Sequence, residues 1–476
     1  MSARTAATNN AQYIGQTRGS APTRALRAKA MITNEQKEAL ISLIQQEVVP
    51  AIGCTEPMAV ALCTARATEL LGCRPEKITA QLSGNILKNA MGVGIPGTGM
   101  IGLPIAIALG ALIGKSEYQL EVLKDLTPAA LEEGKRYIAE NRINIGVKAN
   151  CCDLLYIEIT CEAGGRSETA IIEGSHTHFR ESPGRPTPQP LPVREGSDYS
   201  QGDDGVQAEK DITPLPHREG QEGGSLTLRL VYDFATETPV EELRFILQTR
   251  ELNMAAAREA LRHNYGHNLG KTIDRPLAKG IFGDSIFSHV IAKTAAACDA
   301  RMGGAMIPVM SNSGSGNQGI CATNPVAVYA EENENTEEEL IRALTLSHLT
   351  AIYIKQSLGR LSALCGCVVA GIGSSVGITY LMGGDYERVC RSVKNMIANL
   401  TGMLCDGAKP SCSLKIVSGV STAVLSAVLS MEGKCVTSAE GIVDDCVDKT
   451  IHNLTSIGAE AMCQTDRMIL DIMTHK

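Results

Sequence analysis

Two long apolar stretches, Met100–Gly114 and Leu361–Met382, constrain the fold of this chain more than any other feature. The first stretch is too short to cross a lipid bilayer, and several glycines and the pair Ser374–Ser375 interrupt the second. We therefore predict that both stretches form core helices that are buried on all sides, and we expect no membrane partner.

The low aromatic content also favours closely packed helices. Only 3% of the residues are aromatic and none is Trp, although 44% are hydrophobic. Alanine, glycine, leucine, isoleucine and methionine must then fill the interior, which favours helices that meet through small residues. The formal net charge of −8 argues against nucleic acid as a partner, because phosphate binding requires a basic surface.

The hydrophobic pattern divides the chain into three parts. Residues 1–30 are polar and lack a regular pattern, which predicts a disordered leader. Residues 31–235 have the mixed pattern of an α/β part with a small sheet, and residues 236–476 are mostly helical, so the predicted fold class is α+β. Helical spacing is clearest in four segments of the last part, Glu241–Ala260, Thr336–Ser357, Tyr386–Ala398 and Gly458–Thr474.

A Pro- and Gly-rich stretch at residues 180–224 interrupts the α/β part, and its composition predicts a flexible insertion. The segments Leu154–Thr160 and Thr169–Ile172 before it, and Ser225–Val231 after it, have the pattern of strands. We therefore expect the insertion to lengthen the tip of a β-hairpin.

Three of the 16 cysteines lie near turn-forming residues. Cys405 and Cys412 flank the segment DGAKPS, whose glycine and proline prevent a continuous helix and allow both sulfurs to reach one point. Cys365 precedes them, and Cys367 competes with it for the same role. Three thiolates with an open fourth position suit a catalytic 4Fe-4S cluster, although the spacing equally fits a zinc site or ordinary burial.

Cys54 lies in the segment VVPAIGCTEP, where two prolines and a glycine predict a rigid bend at the end of a helix. A thiol on such a bend, with Glu56 nearby, is a candidate base or nucleophile. The alternative interpretation is a cysteine that only packs in the core.

Two polar, glycine-containing segments are candidate binding sites for a carboxylate. The segment Ser311–Gly319 offers backbone N–H groups, hydroxyls and amides, and its candidate substrate-binding residues are Ser311, Asn312, Ser313, Gly314 and Asn317. The second segment, Ser83–Asn89, contributes Asn85 and Lys88. The alternative for both is a flexible surface loop.

Two pairs of histidines have spacings found in metal sites. His176 and His178 lie two apart on a predicted strand, where hydrogen-bonded or solvent-facing histidines are the alternative. His263 and His267 lack the acidic residue of the zinc-protease pattern and are set aside.

Four segments together resemble a known family: VVPAIGCTEP, LSGNILKNAMGVGIPGTG, DARMGGAMIPVMSNSGSGNQGI and MLCDGAKPSC. They are similar to the L-cysteine desulfidase family, which is related to the α part of bacterial iron–sulfur L-serine dehydratases. The resemblance runs from Met31 to the C-terminus and leaves out the leader and the insertion.

The resemblance implies a lyase that works without pyridoxal phosphate and converts L-cysteine into pyruvate, ammonia and sulfide. It implies that Cys365, Cys405 and Cys412 hold a 4Fe-4S cluster and that Cys54 accepts the proton. The alternatives are L-serine dehydration with the same cluster and, in another class, a thiol-rich metal or redox sensor. Residues 1–30 lack the continuous apolar core of a secretory signal, so we expect a cytoplasmic protein with a small amino-acid substrate; its helical core allows a homodimer.

Overall fold

The computed structural model describes residues 32–149, 151, 153, 155–180, 226–359 and 362–475. The predicted leader (1–30) and nearly all of the predicted insertion (180–224) lie outside the described residues. The fold is α+β, as predicted, with a small mixed sheet in the N-terminal half and a mostly helical C-terminal part.

The N-terminal part packs helices against a four-stranded sheet. Its elements, in chain order, are α1 (Asn34–Glu47), β1 (Pro50–Ile52), α2 (Thr55–Leu71), β2 (Lys77–Leu82), α3 (Gly84–Ala90), α4 (Leu103–Ile113), the 3-10 turn Ser116–Glu121, α5 (Pro128–Ala139), β3 (Ile143–Val147), β4 (Tyr156–Ala163) and β5 (Arg166–Glu173). The strand order is β3-β2-β4-β5, with β2 parallel to β3 and antiparallel to β4. Helix α2 covers β4 and β5 and packs against α4, so the core lies between this helix pair and the sheet.

Two predicted strands are confirmed as β4 and β5, although β4 begins at Tyr156, after Leu155, and Leu154 lies outside the described residues. These strands form a hairpin that turns at Gly164 and Gly165, whose φ angles are 57° and 77°. Two residues with positive φ close a tight hairpin on their own. The expected hairpin, in which the insertion joins a strand before it to Ser225–Val231 after it, is wrong: β5 pairs with β4, and Leu228–Val231 are helical.

The segment Ser225–Val231 was predicted to be a strand, and this prediction is wrong: Ser225 lies outside the described residues, and Leu228–Val231 form the start of a helix. The Thr227 hydroxyl accepts a hydrogen bond from the Leu230 N–H at 3.2 Å and caps the helix that starts at Leu228. Alternating apolar residues also fit a short helix, and the sequence alone does not show the partner that buries Val231 and Phe234.

Helices make up most of the C-terminal part. Its elements are α6 (Leu228–Glu237), α7 (Val240–Leu243), the 3-10 turn Arg244–Ile246, α8 (Leu247–Arg262), α9 (Leu269–Ile273), α10 (Pro276–Phe282), α11 (Ile286–Met302), β6 (Pro308–Met310), α12 (Gly316–Glu332), α13 (Glu337–Leu358), α14 (Gly366–Leu381), α15 (Tyr386–Leu400), α16 (Cys412–Met431), α17 (Val447–Ser456), the π-turn Ile457–Ala461 and α18 (Cys463–Thr474). All four predicted helical segments are helical: two match α13 and α15 closely, whereas Glu241–Ala260 is divided into α7, a 3-10 turn and α8, and Gly458–Thr474 begins in the π-turn before α18. Strand β6 pairs antiparallel with β1 and joins the two parts.

The two apolar stretches form the buried helices α4 and α14, as predicted. Helix α14 packs against α12, α13, α15 and α16. A Cβ atom at Gly373 would lie 2.3 Å from the Ser347 carbonyl oxygen, and one at Gly377 would lie 2.8 Å from Val326. Small residues therefore allow these helices to approach closely.

Among the described residues, one helix is long and apolar enough to span a membrane by length and composition, namely α16. Core helices of soluble proteins pass the same test, and α16 packs against α11, α14 and α15. Part of its surface is open, since Leu414, Leu425 and Val428 are exposed.

Candidate active site

A cavity of about 610 Å³ lies where the N-terminal part meets the C-terminal helices. It is lined by nine of the eleven residues that were predicted to bind or react: Cys54, Asn85, Lys88, Ser313, Gly314, Asn317, Cys365, Cys405 and Cys412. Ser311 and Asn312 are absent from its wall. Residues that are far apart in the sequence thus meet at one cavity.

A short antiparallel bridge between Leu364 and Leu404 brings Cys365 and Cys405 together. The Cys365 N–H donates to the Met403 carbonyl at 3.0 Å, and the Cys405 N–H donates to the Ala363 carbonyl at 2.6 Å. Cys365 directly precedes α14, so its thiol lies at the N-terminal end of that helix, where negative charge is favoured.

The third thiol, Cys412, begins α16 after a tight loop. The Cys412 N–H donates to the Lys409 carbonyl at 2.9 Å. Gly407 in this loop has a φ of 87°, and a Cβ atom there would lie 2.1 Å from the Lys88 carbonyl oxygen. Only glycine therefore fits where the loop packs against α3, which explains the glycine of the DGAKPS segment.

Cys367 is the competitor of Cys365, and their sulfurs are 3.3 Å apart. A hydrogen bond from the Cys367 thiol to the Cys365 sulfur lowers the pKa of Cys365 to about 7. The same hydrogen bond, together with burial, raises the pKa of Cys367 well above its usual value. When Cys367 keeps its proton, Cys365 is therefore the better thiolate of the pair.

The donor set of the cavity suits an iron–sulfur cluster. Thiolates are the usual protein ligands of such clusters, and three cationic side chains (Lys88, Lys355 and Lys415) line the same cavity and oppose negative charge. Burial lowers the pKa of Lys355 to about 8, whereas the neighbouring Cys405 and Cys365 raise it. Within the part of the chain that the structure describes, no group of three His, Cys, Asp or Glu side chains is close enough to hold a single metal ion.

Cys54 is far from the other three thiols in the sequence but lines the same cavity. It is the N-cap residue of α2. It is only 2% exposed. The Arg301 guanidinium donates to the Cys54 sulfur at 3.3 Å and to the Asn317 side-chain oxygen at 3.1 Å. Burial raises the pKa of the Cys54 thiol to about 12, and the charge of Arg301 opposes this shift.

Sequence reasoning missed Arg301, although this residue lies in one of the four segments that carry the family resemblance. An arginine in a helix usually faces solvent, and only the fold shows that this one is 4% exposed and faces a cavity. Glu56, the alternative base, also lines the cavity.

The segment Ser311–Gly319 has two structural roles. The Ser311 hydroxyl donates to the Val49 carbonyl at 2.7 Å, and the Asn312 amide lies 3.1 Å from His348 Nδ1. Ser313 and Gly314 turn the chain with φ angles of 48° and 78°, and they face the cavity. The first two residues therefore fix a buried loop whose later residues reach the site, and the alternative of a flexible surface loop is wrong.

His348 supports this loop from behind. It is completely buried on α13, and its Nε2 lies 2.9 Å from the Thr323 hydroxyl. Burial lowers the pKa of His348 to about 3, so the imidazole is neutral. A neutral imidazole bonded at both nitrogens holds Asn312 and α12 in a fixed relationship.

Lys88 and Asn85 lie on α3. Lys88 is 2% exposed and forms an ion pair with Asp466 of α18. The side-chain oxygen of Asn85 is buried and has no hydrogen-bond partner among the described residues. The cation that was predicted to pair with a substrate carboxylate is thus already paired with a carboxylate of the protein.

Neither histidine pair belongs to a group of three or more metal-binding side chains among the described residues. His176 and His178 lie in the turn that follows β5, so their predicted position on a strand is wrong. His176 lines the cavity, whereas His178 is exposed and lies 3.3 Å from the Glu173 carbonyl. His263 ends α8 and is exposed, 3.9 Å from Glu259.

Comparison with known proteins assigns the family. The family described as serine dehydratase alpha chain matches residues 117–471, which include Arg301 and the three candidate ligand cysteines. The chain belongs to the serine dehydratase alpha chain family. Membership shows an enzyme of the lyase type, whose family is that of iron–sulfur serine dehydratases.

Relatives match over almost their whole length. A UPF0597 protein of Bacteroides fragilis is 62% identical over 445 residues, which are 94% of this chain and 100% of that protein. UPF0597 proteins of Phocaeicola vulgatus and Porphyromonas gingivalis are 63% and 51% identical, and they cover 94% of this chain and 99% and 100% of their own lengths. The matched regions of these relatives extend beyond the residues covered by the family match.

Proposed function

We propose that this protein is an iron–sulfur-dependent lyase that converts L-cysteine into pyruvate, ammonia and sulfide without pyridoxal phosphate. One observation carries the proposal: Cys54 and the three thiols Cys365, Cys405 and Cys412 line a single cavity together with a polar loop. A base, a set of thiolate ligands and a polar binding surface are the parts that a cluster-dependent β-elimination requires.

Cys365, Cys405 and Cys412 would hold a 4Fe-4S cluster and leave one iron without a protein ligand. When bound, this group supplies a Lewis acid for the leaving sulfur of the substrate. Lys415 lies beside the thiols and donates to the Leu404 carbonyl at 2.7 Å. Its charge offsets part of the negative charge that three thiolates bring into a buried site.

Cys54 is the proposed base for the α-proton of the substrate. It lies at the N-terminal end of α2 and accepts a hydrogen bond from Arg301; both features favour the thiolate and oppose the burial that raises its pKa to about 12, so proton abstraction needs the thiolate form that they stabilise. When the α-proton moves to Cys54, the Cα–H electrons form the Cα=Cβ bond and the Cβ–S bond breaks. The products are sulfide and aminoacrylate, which tautomerises to an imine that water hydrolyses to pyruvate and ammonia.

The remaining cavity residues are proposed to bind the polar ends of the substrate. Ser313, Gly314 and Asn317 approach it from the turn before α12 and from its first turn, and Asn85 approaches from α3. The unpartnered side-chain oxygen of Asn85 is a candidate acceptor for the α-ammonium group. Lys88 contacts the substrate only when its ion pair with Asp466 opens.

L-serine is the second candidate substrate, and the name of the matching family favours it. Hydroxide replaces sulfide as the leaving group, and the other steps are the same. The shape of the cavity around the β-substituent decides between the two. We further propose a soluble, cytoplasmic enzyme that acts on a small amino acid and has no nucleic-acid or membrane partner, with a homodimer allowed by its helical core.

The test is to purify the protein without oxygen, reconstitute it with iron and sulfide, and measure the products formed from L-cysteine and from L-serine. We expect equal amounts of sulfide and pyruvate from L-cysteine. Cys405→Ala should lose both, whereas Cys73→Ala, at an exposed cysteine outside the cavity, should keep both. Pyruvate from L-serine alone would change the substrate, and no product from either with the cluster loaded would reject the lyase.

A further inference from the structure

We infer that Arg301 binds the α-carboxylate of the substrate and thereby holds the α-carbon beside Cys54. The inference rests on the proposed function in one respect, namely that the ligand is an α-amino acid. It assigns to Arg301 the role that sequence reasoning gave to Lys88, because Lys88 is already paired with Asp466.

The first observation is that Arg301 is a buried cation that forms no ion pair with an Asp or Glu side chain among the described residues. It lies in the last turn of α11, is 4% exposed and lines the cavity. Two of its five N–H groups bond to Cys54 and Asn317, and its Nε is buried with no hydrogen-bond partner among the described residues. A buried charge is expensive unless an opposite charge compensates it.

The second observation is the position of the guanidinium against the start of α12. A Cβ atom at Gly316, the first residue of this 17-residue helix, would lie 2.2 Å from Arg301 Nε. Glycine therefore allows the guanidinium to lie directly against the N-terminal turn. The N-terminus of a helix carries partial positive charge, so a cation there is unfavourable unless an anion lies close to both.

The other cations of the cavity have different surroundings. Lys88 pairs with Asp466, and Lys415 pairs with Asp406. Lys355 lies close enough to Cys365 and Cys405 for their charges to act on it, which is the cluster side of the cavity. Arg301 is accordingly the cation that the structure places at Cys54.

The geometry has a direct consequence for the reaction. A guanidinium binds a carboxylate through two parallel hydrogen bonds, which fix the orientation of the carboxylate. The α-carbon is one bond from the carboxylate, and the Cys54 sulfur lies 3.3 Å from the same guanidinium. Arg301 therefore places the α-proton near Cys54, inside the cavity that Cys365, Cys405 and Cys412 also line.

A binding experiment with unreactive ligands tests this role. L-alanine has the α-amino and α-carboxyl groups but no leaving group, and ethylamine is the same molecule without the carboxylate. Their dissociation constants would be measured by equilibrium dialysis with the reconstituted wild type, Arg301→Gln, Arg301→Lys and the exposed control Arg258→Gln. We expect Arg301→Gln to weaken L-alanine binding at least tenfold and to leave ethylamine binding unchanged. Arg301→Lys should lie between, and Arg258→Gln should match the wild type.

Unchanged L-alanine affinity in Arg301→Gln would overturn the inference. This holds even if kcat falls in that variant, because a residue that only orients Cys54 would lower kcat without weakening L-alanine binding. If Arg301→Gln does not fold, modification of the wild type with phenylglyoxal replaces it. L-alanine, but not ethylamine, should protect Arg301 from modification, as located by mass spectrometry; equal protection by both would overturn the inference. Product formation from L-cysteine and L-serine is measured separately, so a failed lyase and a failed carboxylate site give different results.

Discussion

Lys88 on α3 and Asp466 on α18 form an ion pair across 378 positions of the sequence. The lysine is 2% exposed and the aspartate 21% exposed, so the pair lies at the edge of the interior. It attaches the last helix of the described chain to the wall of the cavity, since no residue of α18 is itself buried.

Removing one partner of this pair should reduce stability. We expect Asp466→Asn to lower the free energy of unfolding by about 1–3 kcal/mol, because Lys88 then stays buried without its counter-charge. The double variant Lys88→Met/Asp466→Asn should recover part of the loss. Denaturant unfolding of the apoprotein measures both effects, and full additivity of Asp466→Asn and Lys88→Met would show that the two side chains do not interact.

The neutral His348 should make stability depend on pH. Its pKa is about 3 in the folded protein, below its usual value of 6.5, so the unfolded chain binds a proton that the folded chain does not. Stability from this group is therefore present above pH 6.5 and is lost as the pH falls towards 3. Between pH 6.5 and about pH 5, the wild type should lose up to about 2 kcal/mol more than His348→Gln. If urea unfolding shows the same pH dependence of the free energy of unfolding for the wild type and His348→Gln, this prediction is wrong.

Cys54 should be needed for the reaction and not for the cofactor. If it removes the α-proton, Cys54→Ala should lower kcat by about 10²- to 10⁴-fold, the usual contribution of a general base. The visible absorbance of the reconstituted protein should stay the same. Cys321→Ala, at a buried cysteine outside the cavity, is the matched control and should keep its activity.

Cys365 and Cys367 should differ as ligands. The contact with Cys367 lowers the pKa of Cys365 and raises that of Cys367, so Cys365→Ala should abolish the visible absorbance of the reconstituted protein. Cys367→Ala should retain iron and absorbance, with faster loss of the cluster in air. Iron and acid-labile sulfide are measured for each variant, and the reverse pattern would assign Cys367 as the ligand.

The glycines of α14 should tolerate no added methyl group. A Cβ atom at Gly373 would lie 2.3 Å from the Ser347 carbonyl, so Gly373→Ala should cost about 1–3 kcal/mol of stability through overpacking. A Cβ atom at Gly402 would have no other atom within 4 Å, and the φ angle of Gly402 is not positive. Gly402→Ala should therefore change stability by less than about 0.5 kcal/mol. Thermal unfolding of both variants checks the contrast.

The sequence was sufficient for the features that depend on local pattern or on long motifs. Helical spacing located α13 and α15 closely, and the breaks around Cys405 and Cys412 predicted a loop that the structure contains. The four family-like segments contribute most of the residues that line the cavity.

Features that depend on tertiary partners were not predictable. The alternation in Ser225–Val231 fits a strand or a helix equally, and packing against α13 decides for the helix. The burial of Arg301 depends on helices from both parts of the chain. The pairing of Lys88 with Asp466 joins residues that no local pattern connects.

The antiparallel pairing of β1 with β6 has a consequence for biosynthesis. Pro50 of β1 lies opposite Met310 of β6. Cys54 follows β1 by two residues, and the loop that contains Ser313 directly follows β6. During translation the ribosome must add more than half of the polypeptide after Cys54 before β6 exists to pair with β1. The nascent thiol therefore stays without its enclosing walls throughout that interval, and protection of Cys54 from alkylation would report, in a ribosome-bound chain, the moment at which the two halves join.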